Sequence, residues 1–188
     1  TIQHFNELRE REVTLMTSFN DVVKWRRMFH QYPELSKYEY KTTQRIKDIL
    51  TSYNIKMIDI PMETGLVAEI GQGEKCIAVR TDIDALPIHE QVRQDFTSTN
   101  DAVMHACGHD AHTAYMLILG ETLIEMKDQL RGNVVIIHQP AEEMPPGGAK
   151  GMIDDGVLEG VDHVLGAHVM SMMETGKIYY REGFVQTG

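Results

Sequence analysis

Leu66-Val67-Ala68-Glu69-Ile70 and Cys76-Ile77-Ala78-Val79 are two short apolar runs separated by Gly71-Gln72-Gly73. Apolar runs of this length with glycine between them are typical of β-strands, and the short connection resembles a hairpin. We therefore expect two strands that are adjacent in one sheet. A fold for this chain must contain that sheet.

Helical patterns precede these strands. From about Ile2 to Phe29, apolar residues recur at three- and four-residue steps among charged ones, and Pro33 marks the end of this helix. A second helix is expected from about Lys41 to Tyr53, with Ile46 and Leu50 on its buried side. Both helices are amphipathic, so each predicts a face that packs on the sheet.

Strands and helices alternate in the rest of the chain. The expected elements are a helix at about Ala111 to Lys127 capped by Asp110, a strand at Asn133 to His138, a short helix near Gly151 to Asp155, and strands at Val161 to His168 and Lys177 to Tyr180. Alternation of this kind predicts an α/β fold, here a three-layer αβα domain with a mostly parallel mixed sheet.

Composition limits the class of partner. The chain has 188 residues, 42% of them hydrophobic and 24% charged, which is ordinary for one soluble domain. A net charge of -10 and a pI near 5.3 disfavour nucleic acid and anionic membrane surfaces. A small molecule or a peptide is the expected partner.

The sequence also predicts a cytoplasmic location. The charged start of the chain has no room for the apolar core of a signal peptide. The longest apolar run, Tyr115 to Leu119, is too short to span a bilayer. Two cysteines occur, Cys76 and Cys107, and in a reducing compartment they are expected to be thiols.

Residues that bind metals follow in one part of the chain: Cys107-Gly108-His109, then Glu142-Glu143, then His168. A thiolate, imidazoles and carboxylates suit zinc, with manganese, cobalt or nickel as alternatives, better than calcium or magnesium. Gly108 lets both of its neighbours turn toward one ion. This pattern predicts metal-assisted hydrolysis.

Adjacent carboxylates directly after a strand are placed at a strand end rather than on a helix surface. One residue of Glu142-Glu143 can therefore coordinate a metal while the other deprotonates a water; a surface acidic pair is the alternative. Asp82 and Asp84 also follow a strand and can orient ligand histidines, or Asp82 can pair with Arg80. Because strand ends meet at one edge of such a sheet, these groups are expected to lie together.

Other histidines leave alternatives open. His105, His112 and His138 lie near the proposed ligands in sequence, and each is a second-choice ligand; His112 is expected instead to support the loop. His30 is interpreted as surface or structural. A cysteine hydrolase with Cys107 as nucleophile is a further reading, but it leaves Glu142-Glu143 and His168 unexplained.

Motifs along nearly the whole chain resemble the zinc-type amidohydrolases and aminoacylases, a metallopeptidase family that includes hippurate hydrolase, N-acetyl-diaminopimelate deacetylase and the auxin-conjugate hydrolases. The motifs are Phe29-His30-Gln31-Tyr32-Pro33-Glu34-Leu35, Arg80-Thr81-Asp82-Ile83-Asp84-Ala85-Leu86-Pro87, Met104-His105-Ala106-Cys107-Gly108-His109-Asp110-Ala111-His112-Thr113, Gln139-Pro140-Ala141-Glu142-Glu143, Gly147-Gly148-Ala149 and Gly166-Ala167-His168. Several blocks in the family's order make this resemblance specific.

The resemblance implies an enzyme that cleaves the amide of N-acyl amino acids or small peptides with two divalent metals. Cys107 would bridge the ions as a thiolate, with His109 and His168 on one ion and Glu143 on the other. Glu142 would be the general base that takes a proton from a metal-activated water and gives it to the leaving amine. Asp82 joins Glu142 among the expected catalytic groups.

In the family, the catalytic domain is interrupted by a lid and dimerisation domain, which implies a homo-oligomer, and a final histidine ligand comes after it. The resemblance implies that residues 1–188 are the N-terminal portion of the catalytic domain, and the lid and the C-terminal part are expected to be absent. The alternative to an enzyme is therefore a non-catalytic metal-binding or assembly fragment that needs a complementary chain.

Overall fold

The computed structural model describes residues 19–183, and the fold is the α/β class expected from the sequence. A five-stranded mixed sheet has helices against both faces. The strands are β1 (Lys56–Ile58), β2 (Leu66–Gly71), β3 (Cys76–Asp82), β4 (Asn133–Gln139) and β5 (His163–Gly166). The helices are α1 (residues 19–31 of the described part), α2 (Tyr40–Ser52), α3 (His109–Glu125) and α4 (Gly148–Asp154), with a 3₁₀ turn at Lys127–Gln129.

The expectation that β2 and β3 are adjacent is wrong. The strand order is β1-β2-β4-β3-β5, so β4 lies between them. Asn133 at the start of β4 aligns with Gly71 at the end of β2, in the antiparallel pair β2–β4. It also aligns with Cys76 at the start of β3, in the parallel pair β3–β4. The glycine-rich connection therefore passes over the start of β4, a span of about 10 Å across two strand spacings.

The physical reason is the composition of β4. Its Val135 and Ile137 lie in a core with Met152 of α4, while Ile136 faces the other way, into a core with Leu117 of α3. A strand that is apolar on both faces is most stable at the centre of a sheet, where helices cover both sides. The two cores make the three layers predicted from the sequence.

The sheet has two parallel and two antiparallel strand pairs. Strand β3 pairs in parallel with β4 and β5, whereas the β1–β2 and β2–β4 pairs are antiparallel. Because β3, β4 and β5 run in one direction, their carboxyl ends meet at one edge. Asp82 ends β3, Gln139 ends β4 and Gly166 ends β5. This edge carries the candidate site.

Some local predictions need correction. Helix α3 begins at His109, two residues earlier than expected, and its N-cap is Gly108 rather than Asp110. Lys177 to Tyr180 form no strand, and Ile178 is 96% exposed. The predicted N-terminal helix is confirmed over residues 19–29; residues 2–18 lie outside the described part.

Among the described residues, no helix is both long and apolar enough to cross a membrane.

Candidate metal centre and active site

Helix α3 and strand β5 bring three of the predicted ligands together. Cys107 and His109 lie at the start of α3, and His168 follows β5. The distance between Cys107 Sγ and His168 Nε2 is 3.4 Å. One ligand atom from each of the three residues lies within 4.8 Å of the other two, so their donors are close enough to share an ion.

Asp84 sets the orientation of the His109 ring. His109 Nδ1 donates to the backbone carbonyl of Asp84 at 2.9 Å and lies 3.3 Å from the Asp84 carboxylate. The proton is therefore on Nδ1, and Nε2 presents its lone pair to the site. His109 is 1% exposed, and its Nε2 has no hydrogen-bond partner among the described residues. A buried nitrogen of this kind needs a ligand.

The two adjacent glutamates face the same nitrogen. Glu143 Oε1 lies 3.8 Å and Glu142 Oε2 4.0 Å from His109 Nε2. The side chain of Glu142 is 40% exposed, whereas that of Glu143 is 20% exposed and its Oε1 has no hydrogen-bond partner in the described part. Glu143 is therefore better placed to bind an ion, and Glu142 to exchange protons with solvent.

Asp84 also connects β3 to the glutamate loop. Its carboxylate accepts from the Ser36 hydroxyl at 2.7 Å and from the Glu143 amide at 2.9 Å. Burial alone would raise the pKa of Asp84, but hydrogen bonds from His109, Ser36 and the Glu143 amide lower it to about 2. The ionised carboxylate thus holds the His109 ring and the Glu143 backbone in position. Ser36 supports this carboxylate, a role that no sequence motif indicated.

Asp82 makes the ion pair that was the alternative to a site role, and it also faces the site. Its Oδ2 accepts from Arg80 Nη1 at 2.9 Å and lies 4.0 Å from His109 Nε2. Burial raises the pKa of Asp82 to about 6, although Arg80 opposes this shift. Asp82 therefore pairs with Arg80 and also lies beside the site.

A buried glutamate supports the turn before the glutamate pair. Glu39 is fully buried, and its Oε1 accepts from the Ala141 amide at 2.7 Å. Ala141 has a φ of 51°, a left-handed conformation that costs a non-glycine residue about 1 kcal/mol. The sequence analysis missed Glu39, because a lone glutamate at a helix start carries no signal of a partner 102 residues away.

The structure shows different surroundings for the three second-choice histidines. His105 and His138 are buried, burial lowers their pKa values to about 4 and about 3, and neither joins a group of ligand-distance donors among the described residues. His112 lies near Asp82 and His109, but its Nε2 accepts from the Val169 amide at 3.0 Å. His112 was expected to support the Cys107 loop, but its hydrogen bond is to the segment that follows β5.

His30 has more partners than the sequence suggested. Its Nδ1 lies 2.8 Å from Asp110 and its Nε2 3.0 Å from Glu90, and the ring is 2% exposed. The hydrogen bond to Asp110 is the main cause that raises the pKa of His30. Arg26 pairs with the same Asp110 oxygen at 2.9 Å, so this network ties α1 to the start of α3. His30 is structural, as expected, but it is not isolated.

The donor set fits divalent metal ions. Burial and the carboxylate of Glu143 raise the pKa of Cys107 to about 12, so the thiol needs a cation to become a thiolate ligand. His109 Nε2 and Glu143 Oε1 are among the buried side-chain atoms at this place that have no hydrogen-bond partner within residues 19–183. A positive charge bound here would balance these carboxylates and the thiolate.

Comparison with known proteins identifies the family of this chain. The model of peptidase family M20/M25/M40 matches residues 78–183, which is more than half of the chain and includes every predicted site residue. The chain belongs to the M20 peptidase family. The family resemblance predicted from the sequence motifs is therefore confirmed.

Relatives within the M20 family include enzymes that act on N-acyl amino acids. The N-acyl-L-amino acid amidohydrolase of Geobacillus stearothermophilus is 44% identical over 160 residues, which are 84% of this chain and 43% of that protein. An N-acetylcysteine deacetylase of Bacillus subtilis is 42% identical over 165 residues, 86% of this chain and 43% of that enzyme. The chain thus spans less than half the length of these curated relatives.

A solved M20 structure has the same fold. The Bacillus subtilis YXEP protein, described as a dinuclear metal binding peptidase from the M20 family, superposes with a TM-score of 0.79 at 42% identity. The match covers 81% of this chain and 43% of that one. The mixed α/β sheet is therefore that of M20 catalytic domains.

Gly108 gives a test of the ligand loop in this M20 chain. It has a φ of +85°, and a Cβ at this position would overlap with Cγ2 of Val169, next to His168. Gly108→Ala is expected to lower the free energy of unfolding by about 1–2 kcal/mol for the left-handed backbone and by a further 1–3 kcal/mol for the overlap. Urea unfolding measures the loss.

Gly160→Ala is the matched control, because Gly160 also has a positive φ (+76°) but nothing lies within 4 Å of its Cβ position. This variant is expected to carry only the backbone cost. Equal losses in the two variants would contradict the close packing between Gly108 and Val169.

Proposed function

We propose that this chain is the N-terminal portion of the catalytic domain of a metal-dependent hydrolase, which cleaves the amide of N-acyl amino acids or small peptides. The observation that carries the proposal is the buried Nε2 of His109, which has no hydrogen-bond partner in the described part of the chain and faces a thiol and carboxylates. M20 membership and the named activities of the relatives support the reaction class.

Four residues are proposed as ligands for two divalent ions: Cys107 as a thiolate shared by both ions, His109 and His168 on one ion, and Glu143 on the other. The sulfur and imidazole donors favour zinc, with manganese, cobalt or nickel as alternatives. When bound, two such ions acidify a water and polarise the amide carbonyl. Asp84 keeps His109 in the tautomer that leaves Nε2 available.

Glu142 is the proposed general base. It takes a proton as the water oxygen bonds to the amide carbon, and it gives that proton to the nitrogen as the carbon–nitrogen bond breaks. The second proton of the water leaves the new carboxylic acid for the amine, so the products are a carboxylate and an ammonium group. Its half-exposed side chain and its distance of 4.0 Å from His109 Nε2 suit a group that moves protons beside the ligands.

Asp82 is proposed to act beside Glu142 through its charge. Its Oδ2 lies 4.0 Å from His109 Nε2 and also accepts a hydrogen bond from Arg80 Nη1 at 2.9 Å. An anion at this distance favours bound cations and orients the imidazole. We assign it no proton transfer.

The remaining proposals concern the whole protein. The acidic surface favours a small substrate over nucleic acid or an anionic membrane, and a cytoplasmic location and a homo-oligomer are consistent with the family. A lid and dimerisation domain and the C-terminal part of the catalytic domain would belong to the longer protein. The alternative is a non-catalytic metal-binding or assembly fragment that needs a complementary chain.

Metal content tests the proposal. The purified chain is stripped with a chelator, reconstituted with zinc and analysed by plasma mass spectrometry, beside hydrolysis assays on a panel of N-acyl amino acids. About two ions per chain with turnover would support the full site, and one or two ions without turnover would support the fragment. No metal bound would contradict the proposal.

The same assays test the cysteine-hydrolase reading. Activity that resists chelators and is lost to a thiol alkylator would support it. The carboxylates of Glu143, Glu142 and Asp82 near Cys107 oppose a free thiolate, so we expect activity to need metal.

A further inference from the structure

Two side chains of α3 hold the backbone on both sides of His168. The Tyr115 hydroxyl donates to the Ala167 carbonyl at 2.7 Å, and the Val169 amide donates to His112 Nε2 at 3.0 Å. These bonds engage the carbonyl of the residue before His168 and the amide of the residue after it. The His168 ring itself donates from Nδ1 to the Val169 carbonyl at 2.7 Å, which leaves Nε2 3.4 Å from Cys107 Sγ.

Both bonds come from one surface of one helix. His112 and Tyr115 are three residues apart, so they are neighbours on the surface of α3. The same helix begins with His109, whose ring centroid lies 5.9 Å from that of His168. A single rigid element therefore carries one proposed ligand and fixes the position of another.

The segment that carries His168 buries little apolar surface. All four residues of β5 are exposed, and so are residues 167–170. Leu165 is 57% exposed, so burial of apolar surface contributes little to the position of this strand end. Beyond the β3–β5 ladder, the two hydrogen bonds to α3 and the packing of Val169 on Gly108 are therefore its main attachments among the described residues.

His112 is engaged in a way that excludes it as a ligand. Its Nε2 accepts a hydrogen bond from an amide, so the neutral ring carries its proton on Nδ1. Neither nitrogen then has a free lone pair for a metal. Burial lowers the pKa of His112 to about 3, in agreement with a neutral ring.

We propose that His112 and Tyr115 are positioning residues that hold His168 in place to bind metal. This inference rests on the proposed function, because it assumes that His168 is a ligand. It assigns roles to two residues of α3 whose side chains do not bind the ion. Outer partners of this kind change metal affinity by about 10–100-fold.

Zinc affinity of the chain, measured by competition with a chromophoric chelator, tests the inference. Tyr115→Phe removes the hydroxyl that bonds to Ala167 and Thr81 and is expected to weaken zinc binding about 10-fold, and His112→Leu about 10–100-fold. His112→Gln keeps an acceptor for the Val169 amide and is expected to recover most of the affinity. His168→Ala marks the loss expected when the ligand itself is removed.

Tyr38→Phe is the matched control for the tyrosine variant. Tyr38 is 64% exposed and lies outside the site. The zinc affinity of the Tyr38→Phe variant is therefore expected to equal that of the wild type. Amide exchange of Val169 in the metal-free protein gives a readout that does not depend on zinc. Protection of this amide in the wild type and in His112→Gln, but not in His112→Leu, is the expected result.

The outcomes separate this inference from the proposed function. If His168→Ala weakens zinc binding but Tyr115→Phe and His112→Leu do not, only the inference is wrong. If His112→Gln binds zinc as weakly as His112→Leu while its Val169 amide stays protected, His112 has another role and the inference is also wrong. If the wild type binds no zinc, the proposed function and this inference both fail.

Discussion

Replacing Glu142 with glutamine is expected to lower kcat of the active enzyme by about 10²–10⁴-fold, while both metal ions stay bound. Glutamine keeps the shape of the side chain but cannot accept a proton from water. Glu142 is the more exposed of the two glutamates, so the ligands around His109 Nε2 remain in place. Turnover of an N-acyl amino acid and metal content are measured on the same sample.

Glu143→Gln is the matched comparison, because it makes the same chemical change at the adjacent residue. We expect this variant to lose metal as well as activity, since Glu143 Oε1 faces His109 Nε2 at 3.8 Å and is the proposed ligand. Wild-type rates for Glu142→Gln would show that another group takes the proton. Metal loss in Glu142→Gln would show that the two roles are exchanged.

The second large effect is expected from Cys107→Ala, which removes the donor proposed to be shared by both ions. Zinc affinity is expected to fall by more than about 100-fold, above the range for groups outside the ligand set. Metal analysis after dialysis against buffer measures the loss. The sulfur lies 3.4 Å from His168 Nε2, so its removal leaves a gap at the centre of the donor group.

Cys76→Ala is the control for a general effect of cysteine removal. Cys76 lies in β3 and belongs to no ligand-distance group among the described residues. This variant is expected to keep its metal. Two ions retained by Cys107→Ala would contradict the bridging role, and equal losses in both variants would point to a change in folding.

The sequence by itself predicted most of the elements and the proposed site residues, although it missed β1 and predicted a strand at Lys177 to Tyr180 that does not form. Helix α2 and strands β2, β3 and β4 were predicted within a few residues, because apolar periodicity and glycine boundaries are local properties. The proposed ligands and the glutamate pair were also predicted, since each follows a strand or begins a helix. The parallel direction of β3, β4 and β5 then brings these positions to one edge.

Only the tertiary structure decided the strand order and the partners of the ligands. The insertion of β4 between β2 and β3 depends on apolar side chains packing against helices on both faces, which a local pattern cannot specify. The contacts of Asp84 with Ser36 and of Tyr115 with Ala167 join residues 48 and 52 positions apart. Such bonds form because folding buries polar groups that must then find partners, and the chain alone does not say which partners will be near.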